Sequence, residues 1–227
     1  VEERSPAQPG GEVRMSLGPR RFIAVAGNIG VGKSTLVGFL SRQYGLTPYY
    51  EPNETNPYLK DFYGDMRQWS FHSQLYFLAT KFRIHQALTS VEVPVIQDRT
   101  IYEDAEIFAE NLHRQRKMSK RDYLTYRALY EAIIKELRPP SLMIYLRCGM
   151  RTLTRRIKLR GRPEEQGIPR SYLLRLQSLY EDWFQRYTLS ETLVIDTDEL
   201  DYLEDLLDRL DLFQRIERAL GAGPQAP

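Results

Sequence analysis

The run Phe22-Ile-Ala-Val-Ala26 leads directly into Gly27-Asn28-Ile29-Gly30-Val31-Gly32-Lys33-Ser34-Thr35, and Leu36, Val37, Phe39 and Leu40 follow at helical spacing. This is G-x-x-x-x-G-K-S between a strand-like and a helix-like segment, the setting in which the motif has chemical meaning. Its glycines let backbone N–H groups converge on phosphate oxygens, and the positive end of the following helix adds to the attraction. Lys33 is expected to reach the β- and γ-phosphates and the Ser34 hydroxyl to ligate Mg²⁺. Residues 27–35 therefore predict binding of a nucleoside triphosphate.

Two further groups have the chemistry to act beside such a loop. The run Val95-Ile96-Gln97 ends on Asp98, followed by Arg99. An Asp at a strand tip can hold Mg²⁺ or its waters, and an adjacent cation suits charge developing in phosphoryl transfer, although the same pair also fits a plain strand-end ion pair. Thr47-Pro-Tyr-Tyr50 ends on Glu51, whose carboxylate could accept a hydroxyl proton. No D-x-x-G follows a strand and no N-K-x-D occurs, which argues against a GTPase. No second acid follows Asp98, which argues against a motor-type hydrolase.

Positioning these groups requires an open sheet. Strand-like runs at Phe22–Ala26, Thr47–Tyr50, Val93–Gln97, Leu142–Leu146 and Leu193–Asp196 alternate with longer helical patterns, predicting an α/β fold with five parallel strands and helices on both faces. Ligands of such sheets lie beyond the carboxyl ends of the strands, so Glu51, Asp98 and the loop should share one crevice. Phe71, Leu75, Leu78 and Phe82 mark one buried helical face, and Ile101, Ala105, Phe108, Ala109 and Leu112 another. Asn56-Pro57 predicts a helix start, and Pro139-Pro140 the end of a helix running from about Ser119 to Leu137.

Charge is unevenly spread. The total is only +2, from 32 Lys and Arg against 30 Asp and Glu, which gives no warrant for a nucleic-acid partner. Residues 147–170 nevertheless hold eight basic and two acidic side chains, and residues 191–211 nine acidic and one basic. In the basic stretch Met150, Leu153 and Ile157 form an apolar stripe that leaves Arg156 and Arg160 on another face, and the helix should break at Gly161-Arg-Pro163. That pattern predicts an arginine-rich lid able to close over phosphates and exclude water.

With 227 residues and 42% apolar content, a single domain over 20–220 is expected, flanked by a disordered arm at 1–19 and a flexible tail at 221–227. No apolar run approaches the ~20 residues of a bilayer-spanning helix. The lone cysteine, Cys148, rules out an intrachain disulfide and fits a reducing, cytoplasmic compartment. His72, His85 and His113 have no metal-ligand spacing.

Taken together, Gly27–Thr35, Glu51-Pro52, Asn56-Pro-Tyr-Leu59, Phe71–Gln74, Asp98-Arg-Thr-Ile-Tyr-Glu-Asp104 and Arg160–Pro169 resemble the deoxynucleoside kinase family over roughly Arg20 to Ile216. The resemblance implies a P-loop kinase fold and transfer of the γ-phosphoryl of Mg·ATP to the 5′-hydroxyl of a 2′-deoxynucleoside. The wording of the motifs looks closest to the bacterial purine-preferring branch, so deoxyadenosine or deoxyguanosine is expected, with deoxycytidine or a broad profile as the alternative. An ATP-hydrolysing NTPase and a non-catalytic partner subunit are the rivals from other classes.

By the same resemblance Glu51 is the base, with Arg99 beside it, Lys33 at the phosphates and Asp98 with Ser34 at Mg²⁺. Tyr63 and Glu165 match a pair that holds the 3′-hydroxyl, and Gln74 matches the reader of the nucleobase edge. Asp104 matches an acid on the far side of the base, Phe108 the aromatic against it, and Arg156 and Arg160 the lid arginines. Where the family usually has an arginine seven residues after the reading glutamine, this chain has Lys81, a point charge without the planar fork. A homodimer is also implied, with the helix from Ser119 to Leu137 as a candidate interface.

Overall fold

A computed structural model describes residues 21–51, 55–198, 200, 202–203 and 205–221, the side chain of Glu164 excepted. The expected arm at 1–19 and residues 222–227 of the expected tail lie outside the described residues. The chain runs β1 (Phe22–Gly27), α1 (Lys33–Tyr44), β2 (Thr47–Tyr49), α2 (Leu59–Gly64), α3 (Met66–Ser90), β3 (Val95–Asp98) and α4 (Ile101–Glu103). A π-helical segment (Asp104–Ala109) leads into α5 (Glu110–Arg114), then α6 (Lys120–Ile134), β4 (Leu142–Arg147), α7 (Met150–Arg160) and a 3₁₀ turn (Pro163–Glu165). Helix α8 (Arg170–Arg186), β5 (Glu191–Asp196) and α9 (Leu206–Ala219) complete it.

The five strands form one sheet in the order β2-β3-β1-β4-β5, every pairing parallel, as the alternating pattern predicts. The alternation of side chains along a strand divides the core between the two faces. Ile23 and Val25 of β1, with Leu142, Ile144 and Leu146 of β4, pack on Leu36, Leu40 and Leu212 on the α1 and α9 face. Phe22, Ala24 and Ala26, with Met143 and Tyr145, pack on Leu78, Leu176 and Tyr180 on the opposite face. The register sets Val25 against Asp98, so the β1 end and the β3 tip lie side by side.

Three local expectations are corrected. Asn56 does not cap a helix: its side chain accepts the Tyr58 N–H at 3.0 Å in a turn, and α2 starts only at Leu59. The helix expected to reach Leu137 ends at Ile134, where Glu136 and Leu137 donate to the Ile133 and Ile134 carbonyls in tight i→i+3 turns ahead of the prolines. On α3 only Leu78 of the expected apolar stripe is fully buried, while Phe71, Leu75 and Phe82 are half-buried at the edge of the core. The deepest face of α3 is instead Ser70, Ser73, Gln74, Phe77, Lys81 and His85. Of these, Gln74 and Lys81 lie at the carboxyl end of the sheet, while His85 packs on Phe22 at the amino end of β1.

Candidate active site

The loop between β1 and α1 holds its shape through its glycines. Gly30 has φ +82°, and a Cβ there would lie 2.6 Å from the Ile157 side chain of α7, so neither the backbone angle nor the space admits a larger residue. Asn28 anchors the loop by donating to the Leu173 carbonyl at 2.9 Å and accepting the Ile29 N–H at 2.8 Å. Lys33 folds back across the loop, its Nζ donating to the Asn28 carbonyl at 3.0 Å. Burial first, and Arg99 second, lower the Lys33 ammonium to about 8 against the pull of Asp98 and Glu51.

At the strand tips the charges interlock. Arg99 sits at φ 60°, outside the ordinary range for a non-glycine residue, and its backbone N–H is tied to the Val25 carbonyl at 3.0 Å. From that turn one guanidinium nitrogen reaches both Glu51 oxygens at 2.8 Å, and the Phe108 ring lies 4.6 Å from the guanidinium carbon. Burial alone would raise the Glu51 carboxyl; Arg99, Lys81 and Lys33 together outweigh it and hold Glu51 well below the usual carboxylate range. Lys81, fully buried, bridges two acids, at 2.6 Å from Asp104 and 3.4 Å from Glu51. Burial pushes the Asp104 carboxyl up to about 6, partly offset by Lys81. Its second oxygen, Oδ2, and Oε1 of Gln74 are buried without a hydrogen-bond partner, two polar atoms waiting for a ligand's donors.

Asp98 and Ser34 meet as the motif predicts, the Ser34 hydroxyl donating to Asp98 Oδ2 at 2.5 Å while Asp98 Oδ1 is buried and unpartnered. These hard oxygen donors fit Mg²⁺. No cluster of three or more His, Cys, Asp or Glu side chains able to hold a metal occurs among the described residues, so most of the coordination would come from phosphate and water, as is usual for this ion.

Two cavities open on the phosphate loop. The first, about 410 Å³, is lined by Glu51, Tyr63, Gln74, Asp104, Phe108 and Glu165 among others. The second, about 640 Å³, is lined by Gly30–Thr35, Arg155, Arg156, Thr197 and Asp198 among others. Gly30, Lys33, Ser34, Arg160 and Arg162 border both, so the cavities meet beneath the lid. The first has the size and mixed lining of a small-molecule site.

The lid is built as expected, with Leu153 and Ile157 buried and α7 ending at Gly161 in the left-handed conformation at φ 69°. Its arginines are engaged in ways the sequence does not reveal. Arg156 donates to the Val31 carbonyl and the Thr197 hydroxyl, each at 2.8 Å, and to the Thr197 carbonyl at 3.0 Å, which ties α7 to the loop. Arg160 pairs closely with Glu165, and Arg162 approaches the same carboxylate at 3.5 Å. Burial, then Tyr172 and Glu165, raise the Tyr63 hydroxyl, in keeping with Tyr63 and Glu165 facing one space. Most sequence-predicted site residues line the two cavities; Gly27, Asn28 and Lys81 do not, and bond instead to Glu103, to the Leu173 carbonyl, and to Glu51 and Asp104. No local motif points to Tyr172, which also borders the first cavity.

The deoxynucleoside kinase family model matches residues 23–220. The deoxyadenosine/deoxycytidine kinase of Bacillus subtilis is 38% identical over 186 residues, covering 81% of this chain and 86% of the relative. The deoxyguanosine kinase of Lactobacillus acidophilus is 38% identical over 197 residues, covering 82% and 85%. Among solved structures, a deoxyadenosine kinase from M. mycoides with dATP bound superposes with a TM-score of 0.76 at 30% identity, over 87% of this chain and 99% of that one. A family match across almost all of the described fold, with a relative 38% identical over most of both chains, identifies the chain as a member of the deoxynucleoside kinase family.

Proposed function

We propose that the protein transfers the γ-phosphoryl of ATP to the 5′-hydroxyl of a 2′-deoxynucleoside, with preference for a purine base. The observation that carries this reading is the meeting of the two cavities: the one holding Glu51 opens onto the phosphate-loop one at Lys33 and Ser34. A sugar hydroxyl beside Glu51 would face a triphosphate laid along the loop.

In this reading Glu51 orients the 5′-hydroxyl and accepts its proton. Its low basicity is compatible with the task, because a loose phosphoryl-transfer transition state leaves the nucleophile little altered until late. Arg99 keeps Glu51 ionised and presents a cation near the developing charge. Mg²⁺, held by Asp98 and Ser34 with the phosphates, neutralises phosphate charge when bound. Lys33 lies along the phosphates, Gly27, Asn28, Ile29, Gly30, Val31, Gly32 and Thr35 supply the loop, and Arg156 braces α7 against it. Arg160 exchanges Glu165 for phosphate as the lid takes up ATP, which frees Glu165 to join Tyr63 at the 3′-hydroxyl. Gln74 and Asp104 meet the base edge with their unpartnered oxygens, Phe108 packs on the base, and Lys81 fixes Asp104 at a single point. The purine preference draws on relatives named for deoxyadenosine and deoxyguanosine, and the first of them is named for deoxycytidine as well.

The reading extends to a homodimer in the cytoplasm, with α6, which exposes Leu124 and Leu129, as the candidate contact face. Among the described residues no helix is long and apolar enough to cross a membrane.

Incubation with γ-labelled ATP and each of the four deoxynucleosides should give labelled 5′-monophosphate, with higher kcat/KM for deoxyadenosine and deoxyguanosine than for thymidine; no labelled nucleotide from any of them overturns the reading. Sedimentation equilibrium should return twice the 26.7 kDa chain mass, and a monomer at micromolar concentration would remove the dimer. A third expectation concerns pH. The Lys33 ammonium, lowered to about 8, is charged below that value and loses its proton as pH rises through it. Since kcat/KM reports the free enzyme, kcat/KM for ATP should fall roughly tenfold per pH unit above the transition. A flat profile from pH 7 to about 9.5 would contradict this.

A further inference from the structure

We infer that Glu103, which none of the roles above uses, is a positioning residue that fixes the end of β1 to the Arg99 turn and so aims Arg99 at Glu51. The inference rests on the kinase reading. Glu103 is completely buried. One of its oxygens, Oε2, accepts the Thr100 N–H at 2.8 Å and the Thr100 hydroxyl at 3.3 Å, closing a capping box at the start of α4. A helix cap needs no more than that.

The other oxygen does something a cap does not require. Glu103 Oε1 accepts the Gly27 N–H at 3.3 Å, from the last residue of β1, and the Tyr180 hydroxyl at 2.9 Å, from α8. Three segments therefore converge on one carboxylate: the threshold of the phosphate loop, the turn after β3, and helix α8, which packs on the same sheet face as α4. Each of these four bonds has Glu103 as the acceptor, and with the nearby cations they work against burial, which pushes its carboxyl up.

Arg99 is the residue this arrangement constrains. Its φ of 60° is unfavourable for a side chain with a Cβ and persists only where the neighbours over-determine it. Glu103 Oε1 lies 3.8 Å from Arg99 Nε, a buried nitrogen without a hydrogen-bond partner, while the far end of the guanidinium holds both Glu51 oxygens. The cation is thus held from behind by one carboxylate and from the front by another. Glu103 also sets the distance between Gly27, whose carbonyl accepts from Arg99 at 3.4 Å, and the Arg99 backbone. Without the rear carboxylate, Arg99 would have one anchor fewer in an unfavourable backbone conformation and would lose its aim on Glu51.

The test compares Glu103→Gln with the wild-type enzyme in steady-state kinetics. Gln keeps the volume but replaces one accepting oxygen with a donor that faces other donors. The expected result is a kcat lower by about 10- to 100-fold, the range that corresponds to a hydrogen bond to a charged group, with both KM values within about threefold. Tyr180→Phe, which removes a single donor from the same carboxylate, should lower kcat in the same sense by a smaller factor and serves if Glu103→Gln does not fold. In the Arg99→Lys background Glu103→Gln should add little further loss, since both act through one guanidinium. Unchanged kcat in the folded variants, a loss confined to KM, or full additivity with Arg99→Lys would each overturn the inference. Failure of the wild-type enzyme to phosphorylate any deoxynucleoside would instead defeat the kinase reading itself, so the two failures are told apart.

Discussion

Arg99 holds both oxygens of Glu51 at 2.8 Å, the two side chains only 7% and 12% exposed, and much of the surrounding chain is arranged to keep that pair in place. Removing charges from water costs several kcal/mol per ion, and breaking a buried pair costs about 3–5 kcal/mol, a large part of a typical domain's total stability. Such a pair is retained only where each remaining charge also finds a partner. Lys33, Lys81 and Arg99 are set against Glu51, Asp98, Glu103 and Asp104, and two carboxylate oxygens left without a partner, Asp98 Oδ1 and Asp104 Oδ2, belong to residues that line the first cavity.

The parallel sheet makes this concentration possible. Adjacent parallel strands end at the same edge, so the β1 end and the β3 tip lie side by side without a long loop to bring them together. Helix α3 then turns a polar face, Gln74 and Lys81, toward that edge, and α7 closes it from above through Arg156 and Ile157. Arg160 and Arg162 sit on the carboxylate of Glu165 at the boundary of the two cavities, and an incoming polyphosphate would compete for those cations. In the proposed reaction, that competition would let the segment after Gly161 respond to the donor.

The parts of this arrangement that are legible in the sequence are those encoded locally. The phosphate loop is contiguous, so its spacing reports its geometry. The five strands are short β-branched or aromatic runs between helical periods, and the strand tips at Glu51 and Asp98 follow from them. The lid announces itself through an apolar stripe within a basic run, broken by Gly161. What could not be read is set by contacts between distant segments. The pairings of Lys81 with Glu51 and of Arg160 with Glu165 depend on which way long side chains turn once the helices are placed. The π-helical segment at Asp104–Ala109 arises inside what reads as an ordinary helix, and Asn56 carries a cap-like sequence yet serves a turn two residues ahead of α2. Glu103 shows the limit best: one of its oxygens closes a capping box with Thr100 three residues away, while the other is used 76 residues away.

The proposed reaction requires Glu51 to act on the acceptor rather than serve only as a counter-ion for Arg99. The direct measurement is turnover of Glu51→Gln alongside its affinity for ATP, since Gln keeps the shape and one accepting oxygen toward Arg99 but cannot take the proton. The account predicts a kcat lower by about 10²–10⁴-fold, the usual contribution of a positioned proton acceptor, with the dissociation constant for ATP changed by no more than a few-fold. Near-normal turnover in that variant would contradict it.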